Sequence, residues 1–340
     1  KVFQAMLPSM SVNELRVGQR SVGAKECHQI CIYDNLMDSK SLVLTGNTST
    51  MYALGFLDLK KDGPTVIELP PGMLGVLNDM AFLFLENLGA AGPDRGKGGK
   101  YLVLPPGYKG DVPTGYYVVQ SNTYGVWNFM RGYLDKGVKA ASDNIRNNLK
   151  VYPLSEKDNQ PTMEFINVSG MEMNTIVPAD YSFYTKLHKL VQEEPLDFMD
   201  METLGLMRSI GIEKGKPFNP DARMKKILED AVAIGEGIAR TVTYYPRQEG
   251  QFAWNDPSSG WVVPFADHDA SWRTEEGVRK IENQMYYHYN CIVVTPVMAK
   301  APGPGKGSEY VFKSFDANND ILIGAENYEM TLPADVPVAD

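Results

Sequence analysis

The chain has 340 residues, of which 43% are hydrophobic and 22% are charged, so its length allows two or three domains with sizeable cores. Its formal net charge of −9 argues against nucleic acid as a partner, because no basic stripe offsets that charge. No apolar run approaches membrane-spanning length, and the sequence therefore predicts no transmembrane segment.

The first half of the chain has the pattern of a β-rich domain. It opens with a helix-like segment at residues 1–8 that lacks a cap and a starting Met. Short strand-like runs follow, separated by turns rich in Gly, Pro, Asn and Asp, at residues 30–33, 42–44, 52–56, 65–69, 101–104 and 116–119. Many short strands are typical of an antiparallel sandwich or barrel. A closing helix is predicted at residues 138–149.

The middle of the chain has the pattern of packed helices. Asp180 can cap a helix that Pro195 ends, and Gly211 can end a second one in the left-handed conformation. Asn219 then offers a cap for a third helix, with Pro220 in its first turn. One buried face is predicted for that helix, formed by Met224, Ile227, Leu228, Ala231, Ile234, Ile238 and Val242.

The last third mixes loop, helix and strand signals. A loop rich in Pro, Gly and Trp spans residues 246–272, and a helical pattern covers residues 274–289. Strand signals return at residues 291–294, 310–315 and 326–332. A sheet of so few strands would expose an apolar face and unpaired edges, so further strands are expected to pair with residues 291–332.

Several segments resemble one bacterial family. They are residues 96–104, 115–121, 150–154, 211–223 and 332–337. In this order they are similar to proteins in which domain of unknown function 1254 precedes domain of unknown function 1214. The resemblance implies an α+β chain: an N-terminal antiparallel β-sandwich at residues 1–155, a helical connecting region at 156–290, and the start of a second β-sandwich at 291–340, apparently truncated.

The resemblance also carries expectations about place and partners, but it names no reaction. Proteins of this kind often carry an export signal, which favours a periplasmic or secreted location. The strands missing from the second sandwich, or another subunit, are expected to pair with residues 291–332.

One cluster stands out as candidate chemistry. Asp267, His268 and Asp269 are adjacent, and a carboxylate beside an imidazole can fix its tautomer and raise its basicity for proton transfer. They are the candidate catalytic residues. The candidate ligand-binding residues are Trp254, Trp261, Arg131 and Tyr287, because aromatic and polar side chains line ligand pockets.

No metal or cofactor is predicted. The Gly- and Lys-rich run at residues 92–100 lacks the glycine spacing and the hydroxyl residue of a phosphate loop. Cys27, His28 and Cys31 supply three of the four ligands that a structural zinc requires.

Three functions therefore stay open. The first is the binding of a small molecule or glycan in a cleft between the sandwich and the helical segment. The second is a hydrolase-type enzyme that uses the Asp/His cluster, and the third is a structural or assembly role.

Overall fold

Ten β-strands form two open sheets in the part of the chain that the computed structural model describes, residues 1–246, 249–254, 256–300 and 310–332. The strands are β1 (Gln29–Ile32), β2 (Thr50–Asp58), β3 (Thr65–Leu69), β4 (Met73–Asp79), β5 (Phe84–Gly89), β6 (Gly99–Leu104), β7 (Tyr117–Gln120), β8 (Gly125–Tyr133), β9 (Lys150–Pro153) and β10 (Glu164–Asn167). The large sheet has the order β10-β1-β2-β8-β4-β5, and the small sheet has the order β7-β6-β3-β9. Most neighbours are antiparallel; β1 with β10 and β6 with β7 are parallel.

The helices lie before, between and after these strands. They are α1 (Val2–Ser21), α2 (Leu59–Asp62), α3 (Val138–Asn148), α4 (Ser182–Glu193), α5 (Met201–Ser209), α6 (Ala222–Tyr244), α7 (Glu249–Phe252), α8 (Ile281–Asn290) and α9 (Pro296–Ala299). The predicted α+β class, with strands dominating the first half and helices the middle, is confirmed. Within the described ranges, no helix is both long and apolar enough to cross a bilayer.

The large sheet is buried on both faces, because successive side chains of a strand point to opposite sides. Val126 and Met130 of β8 pack into one core with residues of the small sheet. Trp127 and Phe129, between them in sequence, belong to a second core that includes the helices. The molecule is therefore layered as small sheet, large sheet and helices, and the predicted packing of two sheets is confirmed.

The connection before α6 corrects one predicted cap. Gly211 does take a left-handed conformation, with φ +88°. The cap of α6 is Asp221 and not Asn219, since the Asp221 side chain accepts a hydrogen bond from the Met224 N–H at 2.7 Å. The predicted buried face is also partly wrong: Leu228 is buried, together with Val232 and Ala239, whereas Ile227, Ile234 and Ile238 are 42%, 64% and 40% exposed.

The strands predicted near the end of the chain do not form in the described residues. Residues 291–294 and 326–332 have no β-pairing there, and residues 310–315 make only isolated bridges, Val262 with Phe312 and Phe315 with Ile321. Residues 42–44 form no strand either. Asn78 explains the first case, because its side-chain amide bonds both the N–H and the carbonyl of Val294, at 3.1 and 2.7 Å, in place of a strand ladder. Residues 333–337, part of the family resemblance, lie outside the described residues.

Candidate functional site

A cavity of about 640 Å³ opens on the helix-side face of the large sheet. We call it the sheet cavity. Its floor is formed by Tyr52 of β2, Arg131 of β8 and Leu74 of β4, which lie side by side because Arg131 is in register with both of the others. Residues 292–298 and Tyr310 close the opposite side, and residues 43–50 close one end. Because side chains alternate between the two faces of a strand, these three paired residues point into the same cavity.

The walls of the sheet cavity are mainly apolar. Carbon-rich side chains line most of it: Val43, Leu44, Leu74, Val76, Ala90, Ala91, Phe129, Ile292, Val293, Val297 and Met298. Polar side chains also line it: Thr45, Ser49, Thr50, Tyr52, Asn87, Arg131, Tyr133, Thr295 and Tyr310. Such a mixture of apolar wall and sparse polar groups is typical of small-molecule sites.

Arg131 is the one charged residue among the described residues that line the sheet cavity. Its guanidinium lies over the Phe129 ring, with 5.6 Å between the guanidinium carbon and the ring centroid. Its Nε is buried and has no hydrogen-bond acceptor in the described part of the chain. A buried donor without an acceptor is unfavourable, and more so when the group is charged. Arg131, predicted as a ligand-binding residue, thus lies in the cavity with one buried donor, its Nε–H, unused.

Two tyrosines stand beside this cation. Burial raises the pKa of Tyr52 and of Tyr133, and the positive charge of Arg131 opposes the rise in both. The phenol groups therefore stay protonated at neutral pH. The Tyr52 oxygen accepts a hydrogen bond from the Asn47 N–H at 3.1 Å, so its own proton is free to be donated.

The roof over the sheet cavity is fixed by side chains. The Thr295 hydroxyl donates to Asn87 Oδ1 of β5 at 2.7 Å, and Asn78 holds Val294 as described above. The Tyr287 hydroxyl donates to the Ile292 carbonyl at 2.8 Å. Tyr287 is fully buried and does not line the cavity. The structure therefore places this predicted ligand-binding residue behind the roof, where it holds the backbone in position.

Asp267, His268 and Asp269 do not line the sheet cavity. Asp267 and Asp269 both approach the Lys280 ammonium, at 3.1 and 3.8 Å. His268 Nδ1 is 3.1 Å from the carbonyl oxygen of Ala299. Asp267 and His268 have positive φ values, +57° and +53°, which is unusual for residues other than glycine. Their catalytic role stays a prediction.

The two predicted tryptophans lie together in the loop before that cluster. The backbone N–H of Trp254 donates to the backbone carbonyl of Trp261 at 2.9 Å. The Lys313 ammonium lies 5.9 Å from the Trp261 ring centroid. Neither tryptophan lines the sheet cavity, and their ligand-binding role also stays a prediction. The described residues contain no group of three or more His, Cys, Asp or Glu suited to a metal ion.

A second, smaller cavity of about 330 Å³ lies where α5 and the start of α8 meet the end of β4. We call it the polar pocket; Asp79, Asp200, Trp272, Arg279 and Gln284 are among its lining residues. Asp79 is only 2% exposed, and its Oδ1 accepts hydrogen bonds from the Ala81 and Leu83 N–H groups at 2.9 and 2.8 Å. Burial raises the pKa of Asp79 to about 7, although these two hydrogen bonds oppose the rise.

Charge is already paired elsewhere in the polar pocket. Arg279 lies 3.5 Å from an Asp200 carboxylate oxygen and donates to the Ala5 carbonyl at 2.7 Å and to Gln284 Oε1 at 2.8 Å. Sequence reasoning missed this pocket entirely. The available signal was a carboxylate, Asp79, directly beside the apolar run at residues 80–85.

Comparisons with known proteins agree with the first part of the sequence resemblance. Residues 27–153 match the family model described as protein of unknown function DUF1254. The DUF1254 region supplies Tyr52, Leu74 and Arg131, and therefore the floor of the sheet cavity. The roof at residues 292–298 lies outside that region.

One solved structure resembles the chain more widely. It is the crystal structure of the VPA0106 protein from Vibrio parahaemolyticus, with a TM-score of 0.50 and 17% sequence identity. The match covers 71% of this chain and 58% of the Vibrio chain, so this chain spans less than two thirds of that protein's length. At this identity the likeness concerns the fold alone. No curated protein matches the chain.

Proposed function

We propose that the protein binds a small organic molecule with a largely apolar body in the sheet cavity. The observation that carries the proposal is an apolar cavity of about 640 Å³ built on strands of a sheet that is buried on both faces. This volume is within the usual range of ligand pockets, roughly 300–1,000 Å³. Strand pairing and the hydrogen bonds of the roof fix the residues that line the cavity. Little conformational entropy is therefore lost on binding.

The nature of the walls favours an apolar small molecule over a glycan. Apolar area removed from water contributes about 25 cal/mol per Å². A sugar carries hydroxyl groups on all sides, and each one that is buried without a partner opposes binding. Apolar side chains form the larger part of the described lining of the cavity, so many of a glycan's hydroxyl groups would face carbon.

An uncharged fluorescent probe, N-phenyl-1-naphthylamine, tests this proposal. We expect the native protein to bind it with micromolar affinity, and Leu74→Trp to weaken binding at least about tenfold because the indole fills space beside Arg131. Leu196→Trp is the matched control, since Leu196 is 60% exposed and lines neither cavity. Equal binding by Leu74→Trp and the native protein would contradict the proposal.

A hydrolase-type enzyme is the second candidate. Its support is the polar pocket, where burial brings the pKa of Asp79 to about 7, a value suited to proton transfer at neutral pH. We keep Asp267, His268 and Asp269 as its proposed catalytic residues; they do not line the polar pocket themselves but lie close in sequence to Ser271 and Trp272, which do. Ester hydrolysis by the native protein that survives in His268→Ala would rule out that assignment.

An assembly role is the third candidate, supported by the exposed isoleucines of α6. From the sequence resemblance we further propose that residues 291–340 belong to a second domain and that the protein is periplasmic or secreted. Sedimentation tests the assembly role, because a monomer at all accessible concentrations contradicts it. Fractionation of cells that make the complete protein tests the location.

A further inference from the structure

We propose that the ligand of the sheet cavity carries a single carboxylate, which Arg131 binds; this rests on the proposed function of that cavity. Arg131 is a charge without a counter-charge in the described lining of the cavity. Among the described residues that line the cavity there is no Asp or Glu, Arg131 has no ion pair in the described part of the chain, and its buried Nε has no hydrogen-bond acceptor there. A partly buried guanidinium in apolar surroundings is stabilised by an anion brought to it.

The geometry around Arg131 suits a planar anion. Contact with the Phe129 ring restricts the plane of the guanidinium, with 5.6 Å from the guanidinium carbon to the ring centroid. A guanidinium with free N–H groups can bind a carboxylate through two parallel hydrogen bonds, a geometry that an ammonium cannot offer. The pairing of strands β2, β8 and β4 holds Arg131 on the floor between Tyr52 and Leu74.

Neighbouring donors extend the same site. The Tyr52 phenol oxygen already accepts the Asn47 N–H, which leaves its proton for a ligand oxygen. Tyr133, two residues along β8 from Arg131, lies on the same face of the sheet and also lines the cavity. Both phenols stay protonated because burial raises the pKa of each. Arg131, Tyr52 and Tyr133 therefore form a group of hydrogen-bond donors.

The number of positive charges decides between classes of anion. One guanidinium and two phenols can satisfy the oxygens of a monoanionic carboxylate. A phosphate monoester carries up to two charges, and the described lining of the cavity holds a single cationic residue to meet them. An amine would be repelled by Arg131. The site thus fits a molecule with an apolar body and one carboxylate at its end.

Displacement of N-phenyl-1-naphthylamine by decanoate and by decanol tests this inference, because the two ten-carbon molecules differ in the head group. We expect decanoate to displace the probe from the native protein at a concentration at least about tenfold lower than decanol does. Arg131→Gln should bring decanoate to the level of decanol when both are measured in that variant, and continued displacement of the probe by decanol shows that the cavity is intact. Arg223→Gln, which removes an exposed arginine, is the control for net charge and should behave like the native protein.

The other outcomes overturn the inference about a carboxylate, but they do not affect the test of the proposed function. Equal displacement by decanoate and decanol, or displacement that does not change in Arg131→Gln, means that no carboxylate site exists at Arg131. Failure of decanoate to displace the probe means the same. In each case binding of the neutral probe, and its loss in Leu74→Trp, still reports on the proposed function.

Discussion

Arg131 in the sheet cavity and Arg279 in the polar pocket are both held among buried residues, yet their surroundings differ. Arg279 has Asp200 beside it, and its donors reach the Ala5 carbonyl and Gln284. Arg131 has a ring face and two phenols beside it, no carboxylate in the described lining of the cavity, and a buried Nε without an acceptor in the described residues. An arginine paired with a carboxylate ties elements together, whereas one without a counter-charge is available to an anionic ligand.

The partners of Arg279 show what it ties together. Ala5 lies in α1, Asp200 caps the start of α5, and Gln284 lies in α8. A single guanidinium therefore joins three helices around the polar pocket. Arg131, by contrast, contacts Phe129 of its own strand and Tyr52 of the neighbouring β2, so its side chain links strands that the backbone already pairs.

The largest expected effect on stability comes from replacing Arg279, the arginine that is paired with a carboxylate. Arg279→Met should lower the free energy of unfolding by about 3–5 kcal/mol, because it leaves the Asp200 carboxylate and two other acceptors without their partner. Urea unfolding at pH 7 measures this. Arg279→Lys is the informative companion: it keeps the charge but cannot reach three separate acceptors, so an intermediate loss is expected. If Arg279→Met lowers the free energy of unfolding by less than about 1 kcal/mol, the proposed difference between Arg279 and Arg131 is wrong.

The polar pocket should also make stability depend on pH. Burial raises the pKa of Asp79 from its ordinary 3.8 to about 7, so the folded state holds this proton more tightly than the unfolded state does. Stability is therefore lost as the pH rises from about 4 to about 7, by about 1.4 kcal/mol per unit of pKa shift. Asp79→Asn keeps the Oδ1 acceptor for Ala81 and Leu83 and removes the titration.

The expected result is that Asp79→Asn is more stable than the native protein at pH 8 by about 2–4 kcal/mol, and that the difference shrinks toward pH 4. Urea unfolding across this range measures it. Glu194, whose pKa burial also raises to about 7, titrates in the same window, so the native slope contains both groups. Glu194→Gln is the matched control, and it should remove the other part of the slope. A constant difference between Asp79→Asn and the native protein at all pH values would contradict this assignment.

How far the sequence predicts this structure depends on whether a strand has one buried face or two. Strand β3 was predicted with its observed bounds. Strands β4 and β8 were not predicted, because both of their faces are buried and the alternation of apolar and polar residues is lost. The same reason explains α6: both sides of the helix are apolar, so periodicity indicates a helix without telling which side is packed.

The candidate site was predicted only in part, since a cavity depends on register between distant strands. Arg131 was selected as a polar partner for a ligand, and it does lie in the sheet cavity. Its neighbours Tyr52 and Leu74 follow from the pairing of β2, β8 and β4, which no local pattern contains. Asp267, His268 and Asp269 are predicted as catalytic residues because they are adjacent in sequence. In the structure the two carboxylates approach Lys280, and the imidazole approaches a backbone carbonyl.

The smallest expected effect on stability is at Arg131, and its sign is what matters. Arg131→Met removes a cation that has no ion-pair partner in the described residues and replaces it with an apolar side chain of similar length. We therefore expect the free energy of unfolding to stay the same or to rise by about 1 kcal/mol, although displacement of the probe by decanoate should fall to the level of decanol. Measured in the same urea assay, Arg279→Met should lose stability and Arg131→Met should not. If Arg131→Met destabilises the protein as much as Arg279→Met does, Arg131 has a structural role, and its free donors are not reserved for a ligand.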